Sequence, residues 1–222
     1  MRPPTLIPRP ETEHWLAHLG SLFLPAASST SRPKLSILDI GTGTGCIALA
    51  LAHSLQPHYT LRALGVDQSA DAVQLAQENV ERCDLAQEVH ILQADLFADT
   101  FAARAKADGR AGFDLVVSNP PYITREAYLS LPPSVREWED RRALVGERAG
   151  APDDGLVFYE RILELLPDLL EAESKSVGPV LALEVGQGQA REVACRVEAR
   201  GMSSEVVPDQ WGVDRLVLGF RR

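Results

Sequence analysis

Short, nearly unbroken apolar runs alternate along this chain with longer stretches in which apolar residues recur at helical spacing. The short runs, at 35–40, 61–67, 89–93, 113–118 and 179–185, are rich in Leu, Ile and Val, too short for helices, and read as buried strands. Between them, 46–55 is apolar nearly all round and predicts a buried helix. Residues 69–83 carry Ala72, Val73, Ala76 and Val80 at helical spacing behind Ser69 as N-cap. Residues 156–170 form an amphipathic pattern with Pro167 near its end, and 189–200 another, stopped by Gly201. Residues 206–208 and 215–220 flank Asp209-Gln210-Trp211-Gly212 and read as a closing antiparallel pair. Strands alternating with helices predict an α/β fold: a doubly wound, mostly parallel seven-stranded sheet, helices on both faces, with an antiparallel terminal hairpin.

The first 34 residues stand apart as a leader segment and a helix, ahead of one domain over 35–222. Pro3, Pro4, Pro8 and Pro10 forbid regular structure before Glu11. Thr12 is the expected N-cap, and Trp15, Leu19 and Leu22 share one helical face. Arg9 and Glu11, on this stiff segment, are placed to close over a cofactor pocket. His14 and His18 have zinc-compatible spacing but no third ligand in view, so they read as a solvated face and no metal is expected. Residues 26–34 read as a polar loop, 98–112 as a short helix and surface loop. Residues 135–144, charged with Trp138 among them, read either as a lid or as a solvated surface anchored by that Trp.

Chemistry gathers where the strands end. After the first comes Gly41-Thr42-Gly43-Thr44-Gly45, following Asp39 and opening a helix. Glycines let backbone approach a ligand, and the helix N-terminus faces it. The spacing G-x-G-x-G is not the dinucleotide G-x-G-x-x-G; it matches the loop under the methionine part of S-adenosylmethionine (SAM) in methyltransferases. Asp67, closing the second strand, is placed to accept ribose hydroxyls, or else to cap the next helix. Asp95 follows the third strand, where it could meet an adenine amino group while Leu96 covers the ring; a turn role for Asp95 fits the spacing nearly as well.

The fourth strand runs into Asn119-Pro120-Pro121-Tyr122. Prolines cannot donate to a ladder, so the sheet must end at Asn119, in a stiff corner. An amide or exocyclic amino nitrogen is a poor nucleophile, because its lone pair is delocalised. The Asn119 side-chain oxygen and the Pro120 carbonyl could grip its two hydrogens without reorganising, with Tyr122 stacking on the planar group.

A net charge of −9 argues against tight non-specific binding of nucleic acid. Cys46, Cys83 and Cys195 lie far apart, without metal or disulfide spacing. No apolar run approaches a membrane span and no secretory signal is visible, so no membrane partner is expected.

Together the strings at 6–13, 39–45, Asp67, Asp95, 113–123, 155–159, 184–186 and 209–219 resemble the protein-(glutamine-N5) methyltransferases that modify peptide-chain release factors, the HemK/PrmC family. The resemblance spans essentially the whole chain, and the leader string is its specific part. It implies a Rossmann-like class I SAM-dependent methyltransferase, acting on the glutamine of a release factor's Gly-Gly-Gln motif and so supporting translation termination. It also implies SAM held by Gly41 to Gly45, Asp67, Leu96 and Asn119, the amide gripped by Asn119 to Tyr122, and S-adenosylhomocysteine (SAH) as product, without a metal. Bacterial members carry a helical docking domain before the leader string, whereas five residues precede Leu6. That docking domain is therefore expected to be absent, or the chain to be a fragment. Glu139-Asp140 stands where bacterial members have Glu-Pro and looks more like mitochondrial relatives, so a mitochondrial location is expected, a cytoplasmic one otherwise.

The nearest alternative keeps the chemistry and changes the substrate to an amino group of DNA or RNA, of the N6-adenine type; a basic cleft around Tyr122 would favour it. The glycine spacing disfavours an NAD-dependent oxidoreductase. The intact 119–122 corner disfavours a SAM-binding subunit that only supports a partner.

Overall fold

A computed structural model describes residues 1–24, 32–172 and 178–222. Most of the polar loop expected at 26–34, residues 26–31, lies outside the described residues. A seven-stranded sheet has the order β3-β2-β1-β4-β5-β7-β6. Its strands are β1 (Lys34–Ile40), β2 (Thr60–Asp67), β3 (Val89–Gln93), β4 (Leu115–Ser118), β5 (Leu181–Glu184), β6 (Ser203–Pro208) and β7 (Asp214–Phe220). β7 runs against both its neighbours, β5 and β6, and the β1, β2, β3, β4 and β5 pairings are parallel.

Alternation along β1 assigns the two faces. Leu35 and Ile37 point to a core with α1 (Pro10–Leu22) and α2 (Cys46–Leu55), whereas Leu38 and Ile40 point to one with α4 (Phe101–Ala105), α8 (Val157–Leu169) and α9 (Ala190–Ala199). β4 and β5 are buried over their whole length, as a doubly covered parallel strand must be. The chain order turns back between β1 and β4, which is where an open α/β sheet leaves a crevice at its carboxyl edge. α3 (Ala70–Arg82) follows β2; α5 (Arg125–Leu129), α6 (Pro133–Arg136) and α7 (Arg141–Leu144) follow β4 as short turns of helix. Among the described residues no helix is long and apolar enough to cross a membrane.

The elements predicted from periodicity stand within a few residues of their expected bounds, and the leader does not. α1 begins at Pro10 with Arg9 at the N-cap, because proline is tolerated in a first turn whose N–H has no partner. Thr12 therefore lies inside the helix, 2% exposed, and caps nothing. Leu22 is 38% exposed; Phe23 buries instead, against Gly178, with the Tyr59 hydroxyl donating to its carbonyl at 2.5 Å. Trp138 is 59% exposed, whereas its neighbour Glu139 is buried and paired with Arg9 at 2.7 Å. Ser69 sits at the N-cap of α3 without a side-chain cap bond, and its backbone N–H donates to Asp67 Oδ1 at 2.9 Å instead.

Candidate active site

A cleft of about 850 Å³, counting its open mouth, lies at the carboxyl edge of β1, β2 and β4. Gly41 and Gly43, both at positive φ, form part of its floor. Asp67 lines it with one carboxylate oxygen accepting from Gly43 N–H at 2.9 Å and the other from Ser69 N–H, so the acid ties the glycine loop to the start of α3. Burial pushes the Asp67 carboxyl above its ordinary range, and those two N–H donors oppose the shift. Ile40, Val66, Ala94, Leu96, Phe101 and Phe158 make the apolar wall. Asp95 reaches the same cleft, and its Oδ1 also accepts from Phe97 N–H at 2.9 Å, so the turn role and the lining role coexist.

Thr42, Thr44 and Gly45 do not line the cleft. Thr42 donates to buried Asp39 Oδ2 at 2.7 Å, and the Ala48 N–H donates to the same oxygen at 3.2 Å. Thr44 offers its carbonyl to Asn79 Nδ2 at 2.9 Å. Gly45, at φ 81°, opens α2, with Ala76 3.3 Å from where its Cβ would be. These residues shape the loop from behind while Gly41 and Gly43 face the ligand space. Burial raises the Asp39 carboxyl from an ordinary 3.8 to about 7, with Thr42 and Ala48 opposing it.

Ser118, Asn119, Pro120 and Pro121 form the far wall, carried in by β4. The Ser118 hydroxyl fastens this strand end to the Ile40 carbonyl at 2.6 Å. Tyr122 does not line the cleft: its ring packs on the α8–α9 core beside Gly186, and Gln189 Nε2 donates to its carbonyl at 3.1 Å. Burial raises the Tyr122 phenol to about 12. Three glycines crowd this corner, since a Cβ on Gly146, Gly155 or Gly186 would sit 2.6 Å from Pro121 O, 2.0 Å from Tyr122 O and 2.9 Å from the Tyr122 ring.

The donor set fits SAM: two glycines without Cβ atoms on the floor, a carboxylate at a strand end for a diol, and an apolar wall for an adenine ring.

Residues 19–130 match the family described as Methyltransferase small domain. The release factor glutamine methyltransferases of Bacillus anthracis and Geobacter sulfurreducens are 35% and 37% identical to the chain, over 96% and 98% of its length. The chain belongs to the release factor glutamine methyltransferase family. It spans about two thirds of the length of these curated relatives, 68% and 66%. Among solved structures, the N-terminal domain of human METTL16 in complex with SAH superposes with a TM-score of 0.63 at 17% identity, over 98% of this chain and 73% of that one. The precorrin-6y C5,15-methyltransferase of Geobacter metallireducens gives 0.58 at 13%, over 100% and 94%. At such identities these likenesses speak for the fold alone.

The release factor glutamine methyltransferase fold brings to this cleft residues that motif reading passed over. Its roof is Pro4, Thr5 and Leu6, with Asp140, Arg142 and Ala143 beside them, rather than Arg9 and Glu11. Arg9 pairs with buried Glu139 at 2.7 Å, Asp140 N–H donates to the Pro4 carbonyl at 2.6 Å, and Arg2 pairs with Glu78 at 3.2 Å. The leader is thus strapped across the cleft by its own contacts with the segment after β4 and with α3. The signal was present in the unusual leader string, but a proline-rich stretch has no periodicity that says where it lies.

Proposed function

We propose that this chain transfers a methyl group from SAM to the side-chain amide nitrogen of the glutamine in a release factor's Gly-Gly-Gln motif. What carries the reading is that Asn119-Pro120-Pro121 and the floor of Gly41 and Gly43 line one cleft. Gly41, Gly43, Asp67, Asp95, Leu96 and Asn119 would hold SAM, which supplies an electrophilic methyl on a sulfonium. The chain's own task is positioning. Asn119 Oδ1 and the Pro120 carbonyl accept the two amide hydrogens and aim the nitrogen lone pair at the methyl group. Proline rigidity means neither acceptor reorganises as positive charge grows on that nitrogen. No strong base is required, because the methylated nitrogen is acidic and releases its proton late. SAH is the expected product, and no metal enters the scheme.

Charge supports a protein substrate over nucleic acid. The ionisable side chains lining the cleft are Asp67, Asp95, Asp140 and Arg142. Three arginines of the segment after β4 are paired with carboxylates: Arg125 with Glu147 and Asp153, Arg141 with Glu147, Arg142 with Asp140; Arg148 lies over the Phe97 ring. Three carboxylates against one guanidinium make the cleft lining acidic, which disfavours a phosphate backbone there. A mitochondrial setting remains part of the proposal, on the Glu139-Asp140 pair. The test is incubation with SAM and a panel of release factors, DNA and RNA. One added methyl on the Gly-Gly-Gln glutamine, located by mass spectrometry, is expected; methylated nucleic acid with unmodified release factors would refute the reading.

A further inference from the structure

Glu184 closes β5, is 1% exposed, and does not line the cleft. Two donors converge on its Oε2: the Thr12 hydroxyl at 2.6 Å and Trp15 Nε1 at 2.7 Å. That oxygen is therefore an acceptor whether or not the other one carries a proton. Threonine has a single hydroxyl hydrogen, and here it is committed to Glu184. Toward any other neighbour, Thr12 Oγ1 offers only lone pairs. The neighbour is Asn119, whose Nδ2 faces it at 3.5 Å.

An asparagine amide has two branches of nearly equal shape and opposite polarity. Facing an oxygen that can only accept, it turns its NH2 to Thr12 and leaves Oδ1 for the cleft. Turned the other way, it would set its own NH2 against a substrate NH2, donor against donor. The contact is long, and catalytic hydrogen bonds are often long before substrate arrives and tighten in the complex.

We infer that Glu184, acting through Thr12, is a positioning residue that fixes which end of the Asn119 amide faces the substrate. This rests on the amide-gripping role proposed above for Asn119. Trp15 belongs to the device because its second donor holds the carboxylate in place. The leader helix α1 thereby contributes to the chemistry as well as to the core.

Thr12→Val keeps the shape and removes the acceptor, and Thr12→Ser keeps the hydroxyl. The quantities to measure are kcat per folded molecule on a release factor, KM for it, and the SAH dissociation constant by calorimetry. Thr12→Val should lower kcat on the order of tenfold or more, with SAH affinity within about twofold of wild type, and Thr12→Ser should restore kcat. A role confined to anchoring α1 would instead lower stability and leave kcat per folded molecule unchanged. Glu184→Leu, which frees the Thr12 hydroxyl to donate to Asn119, should reproduce the kcat loss and serves if Thr12→Val does not fold. Folded Thr12→Val with wild-type kcat would overturn the inference.

A second readout needs no substrate. With SAH bound, the Asn119 side-chain NH2 resonances, identified by their loss in Asn119→Asp, should shift in Thr12→Val and coincide with wild type in Thr12→Ser. Coincidence in all three would also overturn it. A wild-type chain that methylates no release factor would refute the functional reading, and the resonance comparison would still decide this one.

Discussion

Asn119 is where the loss of one amide group should separate binding from chemistry. It lines the cleft beside the glycine floor but would supply only one of several SAM contacts. Asn119→Ala should cut methyl transfer by roughly 100-fold or more, the scale of losing one preorganised transition-state partner, while SAH affinity measured by calorimetry falls less than about tenfold. Asp39 makes a different prediction. Its carboxyl titrates at about 7 in the folded chain against 3.8 ordinarily, because burial penalises the charge. Between those values the folded state holds a proton that the unfolded state has lost, so this residue's contribution to stability falls as pH rises from about 4 to 7. Urea unfolding of wild type and Asp39→Asn at pH 5 and pH 7.5 should show the difference between them shifting toward the variant at the higher pH. A difference independent of pH would mean that Asp39 is not desolvated as described.

At the scale of elements, the corner after β4 is held by what surrounds it. Gly155, at φ 71°, leads into α8, and a Cβ there would stand 2.0 Å from the Tyr122 carbonyl. Gly155→Ala must therefore displace the Pro121–Tyr122 backbone. Displacements of an ångström commonly cost up to about 100-fold in rate, so kcat should drop far more than SAH affinity, and kinetics alongside calorimetry will tell. Elements with a period were legible from sequence. α2 occupies the predicted 46–55, β3 the predicted 89–93, and the hairpin closes the sheet as the pattern required. The glycine floor, Asp67 and the Asn119 corner were legible because strand ends have polar signatures. What resisted was anything decided by tertiary contact. Thr12 looks like a cap until Glu184 supplies a buried acceptor, and Leu22 looks like core until Phe23 takes that place. The roof of Pro4 to Leu6 has no local pattern, because its position is set by Asp140, Glu139 and Glu78, residues far along the chain.

For the whole molecule, cofactor and fold are linked. A ligand bound only by the folded state adds about 2.7 kcal/mol at one hundred times its dissociation constant. For a chain of this size that corresponds to a rise of roughly 5–10 °C in unfolding temperature, readable by scanning calorimetry with saturating SAH. Asp67→Ala removes a lining carboxylate and the tie between Gly43 and Ser69, so it should abolish most of that rise. A full shift in the variant would place the cofactor elsewhere.

The bonds from Thr12 and Trp15 to Glu184 join residues 172 and 169 positions apart. Closing loops of that length costs chain entropy before the contact can reward it. On a ribosome, the strands and glycines of the nucleotide cradle emerge well before β5 does. If Glu184 orients Asn119 as inferred above, a chain still being made gains that orientation only when its last third reaches back to the first helix.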